Sequence, residues 1–502
     1  MPVPDGWRLV KLSDLGEVNR GRSRHRPRDA AHLYGGPYPF VQTGDVKASN
    51  GRVTSYNQTY SEDGLAQSRL WPKDTMCITI AANIAETGIL QFPACFPDSV
   101  IGFIADKNEC NVYFIEYVFR LLRKRIQAQA TGSVQDNINL QTLERLLFPI
   151  PDLDEQNRIA EVLCAFDDKI QLNRQTNQTL EQIAQAIFKS WFVNFEPVKA
   201  KAIVKEKGGN ELAQSLAAQA IICGAVTLEQ LQALQNDYLG LEAQLHPLII
   251  DRFSDQAGLD DWTPETLQTT AALFPDALVE SELGEIPEGW SIKSMEELSS
   301  IVAMGPFGSN IKVSTFVDDG VPVVSGQHLK GLMLEDNQFN FVTIEHADKL
   351  KKANVMRGDV VFTHAGSIGQ VAYIPDKSRY ERYVLSQRQF YMRPNPKLIS
   401  PLFITYYFKS HIGQYELLSN ASQVGVPSIS RPVSNLRKIS AVVPNKDLSD
   451  VFHVLANTMH NNISVINQEI NILENIRDYL LPRLLTGELA LNNVKTTTEA
   501  VA

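Results

Sequence analysis

Cysteine is scarce in this sequence and follows no pattern. Cys77, Cys95, Cys110, Cys164 and Cys223 are odd in number and never spaced as CxxC, which argues against both a disulfide framework and a structural zinc. They read as buried thiols. No run of about 18 apolar residues is present, and the start MPVPDGWRLV lacks the charged-then-apolar order of a signal peptide. Neither membrane insertion nor export is therefore expected, and a cytoplasmic location is. There is no GxxxxGK[ST] string to cradle a nucleotide phosphate, and the histidines show no metal-ligand spacing. GSIG at 366–369 reads as a turn between strands, not as a cofactor loop, and carboxylates beside lysines, such as Asp376 and Lys377, are too scattered to indicate a nuclease. No catalytic constellation, metal site or cofactor site is expected in this chain.

What is present is size, regional charge and repetition. A chain of 502 residues is too long for one hydrophobic core. The formal net charge is -10, but the acidic excess sits mainly in residues 201–280, with four basic against twelve acidic residues. Residues 1–150 and 281–445 are mildly basic, so the overall charge does not exclude a polyanionic partner for those two segments. NRGRSRHRPRD at 19–29 packs Arg20, Arg22, Arg24, Arg26 and Arg28 into nine positions. Such an arm suits phosphate neutralisation with counterion release, and Arg can also grip guanine through O6 and N7. A solvated arm without a partner is the alternative.

The chain is written twice. PDGW at 4–7 returns as PEGW at 287–290, FVQTG at 40–44 as VVSGQ at 323–327, FIEYVFR at 114–120 as FITYYFK at 403–409, and LEQI at 180–183 as LENI at 473–476. The order is kept, with slowly growing offsets, which indicates an internal duplication. Each copy opens with short apolar runs cut by turn residues, as in TMCITIAANI and GDVVFTHAGSIG, which read as strands. A helix follows, with Asn111 as cap in the first copy and Ser400 before Pro401 in the second. Polar loops come next, TGSVQDNIN in the first copy and SQVGVPSIS in the second.

Each copy then closes on a long periodic stretch. Ile159, Leu163, Phe166, Ile170, Asn173, Asn177, Leu180, Ala184, Ile187 and Trp191 keep a 4,3 rhythm, as do Phe452, Ala456, Met459, Ile463, Ile466, Ile470, Leu473, Arg477, Leu480 and Leu484. These are coiled-coil seams. Connectivity favours an antiparallel pair acting as a spacer of fixed length. Two separate amphipathic helices on their own globules are the alternative. Asn173 and Asn177 interrupt the first seam, either as buried register-setting amides or as a bend facing solvent.

SWFVNFEPV at 190–198, LFPD at 273–276 leading to LGEIPEGW at 283–290, and LLPRLLTGEL at 480–489 resemble the specificity subunit of Type I restriction-modification enzymes. The resemblance implies an α+β fold with two β-rich target-recognition domains, separated by two long helices paired as an antiparallel coiled coil with an internal pseudo-two-fold. It places target recognition in 1–150 and 284–445, spacer helices in 151–200 and 446–492, and a disordered tail at 493–502. Segment 201–283 is a helical, acidic insert expected on the surface beside the first helix, either solvated or touching a partner. The implied partners are double-stranded DNA, two methyltransferase subunits and motor-nuclease subunits. S-adenosylmethionine, ATP and Mg would sit on those partners. In keeping with a non-catalytic role, RPNPK at 393–397 does not fit the Asn/Asp-Pro-Pro-aromatic motif of an amino-methyltransferase. A stand-alone DNA-binding regulator or scaffold is the competing reading.

Candidate DNA contacts lie on loops matched between the copies. In the first they are Arg20, Arg22, Arg24, Arg26, Gln42, Thr43, Asp45, Lys47 and Asn83. In the second they are Ser309, Asn310, Lys312, Ser325, Gln327, His328, His364, Ser367, Gln387, Arg388, Gln389 and Gln423. Amide side chains can pair with adenine N6 and N7, which singles out Gln387, Gln389 and Gln423, and Arg388 is a guanine candidate. Each could equally be an ordinary turn or edge residue. Arg120, Arg123, Lys124 and Arg125 are expected to complement the C-terminal end of their helix, with phosphate contact as the second reading.

Overall fold

The computed structural model describes residues 4–491 except 5, 26, 28, 82, 131–139, 234–237, 255–262, 307, 423–424 and 490. The chain forms two compact units, one of residues 1–175 with 466–502 and the other of 176–465.

In the first unit a five-stranded sheet runs in the order Gly16–Arg20, Val100–Ala105, Met76–Thr79, Thr87–Leu90, Gly51–Val53. All neighbours are antiparallel except the last pair. Side chains alternate across a strand, and both faces are covered. Met76 and Ile78 enter the core made with the helix Val112–Ala130, whereas Cys77 joins Trp71, Leu90 and Phe96 on the opposite side. A Cβ at Gly102 would lie 2.6 Å from the Trp71 ring and 2.7 Å from Phe96, so only glycine lets that second face close. Asn111 caps the helix as expected, its Oδ1 accepting from the Tyr113 and Phe114 amides at 2.9 and 3.3 Å.

The second unit holds two four-stranded sheets. One runs Ser299–Met304, Gln389–Pro394, Val360–Thr363, Val371–Tyr373, and the other Asn340–Val342, Val321–Val324, Arg382–Leu385, Asn354–Met356. Ser400 Oγ accepts from the Phe403 amide at 3.1 Å at the start of the helix Pro401–Lys409. The duplication is visible in how each copy is closed. Arg8–Val10 pairs antiparallel with Phe148–Ile150, and Ser291–Ser294 pairs antiparallel with Ser440–Val443. In each copy the first strand thus meets the last strand before the long helix.

The long helices are Leu153–Phe192 and Lys446–Leu485, 40 residues each. Every seam position named above is buried or half-buried. In the first unit Ile159 and Leu163 share a core with Leu481 and Leu484, and Asp167 meets Arg477 at 2.7 Å while Asn173 meets Glu469 at 3.0 Å. As one number rises the other falls, so the helices run antiparallel. Asn173 is 4% exposed and donates to Glu469, so it is a buried amide and not a solvent-facing bend. In the second unit Ala184, Phe188 and Trp191 share a core with Phe452, Ala456 and Met459.

The acidic insert departs from expectation. The helix Glu196–Glu206 that leads into it and its own helices Glu211–Ile222 and Pro264–Ala272 bury Val204, Leu216, Ala217, Leu267 and Ala271 in the same core as Trp191 and Trp290. Among the described residues its Glu206, Glu211, Glu229, Asp251 and Glu265 are exposed while its apolar stripe completes the second unit, so it is not a solvated appendage.

Candidate nucleic-acid interface

The arginine arm in the first unit is pinned by its backbone. After the strand ends at Arg20, Gly21 N donates to Val100 O at 2.8 Å, Arg22 N to Phe96 O at 3.1 Å, and His25 N to Gln67 Oε1 at 2.9 Å. Ser68 Oγ donates to Arg22 O at 2.9 Å. A Cβ at Gly21 would lie 2.3 Å from Pro97 O, so the close approach needs glycine. Arg22 and Arg24 are left with exposed side chains, while Arg20 Nε donates to Asp98 O at 3.1 Å. Arg26 and Arg28 lie outside the described residues. Replacing Arg22 and Arg24 together by Ala should lower the slope of log affinity for DNA against log salt by about 1 for each phosphate released, about 2 in all. A titration in which the slope stays unchanged would place the arm away from the phosphates.

The next loop is organised by Gln42 and Asp45. Gln42 N donates to Asp45 Oδ2 at 2.8 Å, Asn57 Nδ2 donates to Asp45 Oδ1 at 2.6 Å, and Gln42 Nε2 donates to Gln58 Oε1 at 2.7 Å. Asp45 thus holds the short helix Thr43–Ala48 in place, with Thr43 half-buried at its first turn. Lys47 projects from that helix and donates to Asn83 Oδ1 at 3.3 Å, which brings two residues far apart in sequence to one place.

Lys47 also lines a polar cleft of about 180 Å³ with Glu86, Arg120, Arg123, Arg174, Glu474 and Arg477. This corrects the expected role of the basic run at 120–125. The helix continues to Ala130, so Arg120 and Arg123 are not at its end. Arg120 pairs with Glu116 at 2.9 Å and lies 3.6 Å from Asp167, and Arg123 pairs with Glu86 at 2.8 Å. Burial by itself would depress the Arg120 guanidinium, but Glu116 and Asp167 outweigh it and raise its pKa. The sequence does carry one signal for this cleft: Arg477 occupies a seam position where an apolar residue belongs.

In the second unit four loops are tied together. Gln387 Nε2 donates to the carbonyls of Gly308 and Ile311, the latter at 3.0 Å. His364 N donates to Arg388 O at 2.9 Å, and its Nε2 lies 3.2 Å from Gln387 O. Ile429 N donates to His364 O at 2.8 Å and Gly366 N to Pro427 O at 2.9 Å. Gly366 adopts φ 83°, and its missing Cβ would lie 3.2 Å from Arg388 Nη1, so the glycine makes room for the guanidinium. Asn310, Lys312, Gln327, Ser367, Gln387 and Arg388 are exposed on these and the adjoining turns. Ser309 lies in the turn Gly308–Asn310, and Gln423 lies outside the described residues.

Two expected readers belong to the interior. His328 is 1% exposed, stacks on Phe339 with centroids 4.4 Å apart, and accepts from Ser325 N through Nδ1 at 3.0 Å. Burial pushes its pKa below the usual 6.5, so it is a neutral capping histidine. Ser325 is the other half of that cap. Gln389 is also 1% exposed and accepts from Ser386 Oγ. Neither His328 nor Gln389 can touch a base edge without leaving the core.

Cys77, Cys95 and Cys110 are buried, as expected, whereas Cys164 and Cys223 are only half-buried; burial pushes the Cys95 thiol up to about 11 and that of Cys110 up to about 12. Among the described residues no group of three or more His, Cys, Asp or Glu is placed to hold a metal ion. No helix among them is long and apolar enough to cross a membrane.

Comparison with known proteins places these two units in context. A family described as the Type I restriction modification DNA specificity domain matches residues 4–182 and again 287–476. The HindI specificity subunit of Haemophilus influenzae is 27% identical over 95% of this chain and 99% of that protein. The MjaIX specificity subunit of Methanocaldococcus jannaschii is 22% identical over 98% of this chain and 95% of that one. Among solved structures, the Type I restriction-modification S subunit from M. genitalium shares the fold at a TM-score of 0.53 and 14% identity, covering 96% of this chain and 98% of that chain.

Proposed function

From the premise that this chain belongs to the family of Type I restriction-modification specificity subunits, the non-catalytic components that supply DNA sequence recognition, we propose the finer role. Each repeat reads one half of a bipartite double-stranded target, and the chain assembles with two adenine methyltransferase subunits and with motor-nuclease subunits. Those partners bind S-adenosylmethionine, ATP and Mg and carry out methylation and ATP-dependent cleavage. The observation that carries the reading is the repeat itself. Two related modules each present exposed cationic and amide side chains on loops and short helical turns braced by hydrogen bonds, Arg22, Arg24, Gln42 and Lys47 in one and Lys312, Gln327 and Arg388 in the other. Arg and Gln are the side chains suited to guanine and adenine edges, and Lys to phosphate.

Mapping modified adenines across the genome with and without the gene tests the proposal. Loss of one bipartite methylation motif on deletion, with co-purification of a methyltransferase on the tagged chain, is the expected result. A purified chain that transfers methyl groups by itself, or a methylation pattern indifferent to the deletion, would refute it.

A further inference from the structure

The two long helices have equal length and start at Leu153 and Lys446, so an offset of 293 lays one on the other. At that offset Asp167 corresponds to His460, and Ala184 corresponds to Arg477. The tie each makes to its own module is conserved in geometry and changed in chemistry. In the first unit Tyr117 Oη donates to Asp167 Oδ2 at 2.7 Å. In the second, Tyr406 Oη lies 2.8 Å from His460 Nε2, and Tyr406 stands where FITYYFK matches FIEYVFR. Asp167 is 8% exposed and also meets Arg477 Nη1 at 2.7 Å on the opposite helix. The position matching Arg477 in the second unit is Ala184, 1% exposed in a core with Phe188, Phe452 and Met459.

We propose that these unlike residues at like positions make each long helix select the other long helix and reject a second copy of itself. A duplicated seam creates the problem, because two copies of the first helix could lie antiparallel with the same apolar rhythm. In that pairing Asp167 would face Ala184 and lose its nearest guanidinium. Two copies of the second helix would set Arg477 against His460, a neutral buried imidazole with no carboxylate to offer. By two-fold symmetry each mismatch occurs twice per dimer. Asp167 would keep Arg120, 3.6 Å away, and Arg477 would keep Asp478 on its own helix at 2.7 Å, so each mismatch removes the closest cross-helix contact of a buried charge; that cost on the wrong partner is what creates specificity. Asn173 and Lys169 add to the discrimination, since both meet Glu469 and the matching position on the first helix is Thr176. The Arg174–Glu474 pair at 2.6 Å adds none between two first helices, because Glu181 stands at the position matching Glu474, whereas between two second helices Glu474 would meet Asn467 in place of Arg174.

The test co-expresses two differently tagged full-length chains and measures capture of one tag by the other. Wild-type chains are expected to remain separate. Asp167→His with Arg477→Ala installs the second repeat's residues in the first, removes both penalties, and should raise cross-capture roughly tenfold or more. His460→Asp approaches from the other side: it offers Arg477 of a second copy a carboxylate and should also yield mixed dimers. Circular dichroism identifies which variants are folded, and if the double variant does not fold, His460→Asp decides the matter. Folded variants whose cross-capture equals that of wild type would overturn the proposal.

Discussion

Phe188→Ala should destabilise the second unit by roughly 3–5 kcal/mol, the usual cost of emptying a buried aromatic site. Phe188 is 2% exposed, and its ring lies 5.3 Å from Phe192, 5.3 Å from Phe403, 5.7 Å from Tyr406 and 5.4 Å from Phe452. It therefore joins the first long helix to the second and to the module's own helix Pro401–Lys409. The cavity would open where three elements meet, and none can close it without leaving the others. Domains are stable by about 5–15 kcal/mol in total, so this is a large share. The functional readout follows from position: under the proposed function, the footprint over one half of the target should be lost, while the footprint of the first repeat, built on 1–175 and 466–485, persists. Urea unfolding of the variant checks the magnitude, and a loss below about 1 kcal/mol would mean that the cluster is not a unit.

Acid should weaken the same unit. Burial pushes the His460 imidazole from its usual 6.5 down to about 4. Between those pH values the unfolded chain holds the proton and the folded state does not, so stability falls as pH falls through that window. The full shift corresponds to about 3 kcal/mol. His328, His364 and His453 are shifted downward by burial as well and act in the same direction. Replacing His460 by Leu alone would strand the Tyr406 hydroxyl, so the informative variant is Tyr406→Phe with His460→Leu. Comparing urea unfolding at pH 7, 5.5 and 4.5, the double variant should lose clearly less stability than wild type. If both lose the same amount, His460 does not contribute to the acid response.

The features that could be read from the residues alone are local. Asn111 and Ser400 cap their helices because a short polar side chain before an apolar run reaches the next free amides, whatever the rest of the chain does. The seams and the duplication are written in periodic order and needed no partner to be recognised. The interface was only partly readable. Arg22, Arg24, Lys312, Ser367 and Arg388 are on the surface, but His328 and Gln389, with equally suitable chemistry, are in the interior. Sequence order carries no direct record of which face of a turn is covered, and Phe339 decides it for His328.

By itself, then, the sequence determined that there are two related copies, where each copy's helices begin, and which stripe of each long helix must be buried. Only the tertiary structure decided which charges meet. Asp167 and Arg477 lie 310 residues apart in sequence and find each other because the helices run in opposite directions. The same closure turned the acidic insert inward along its apolar stripe, since burial follows from what packs opposite a face and not from the net charge of the segment.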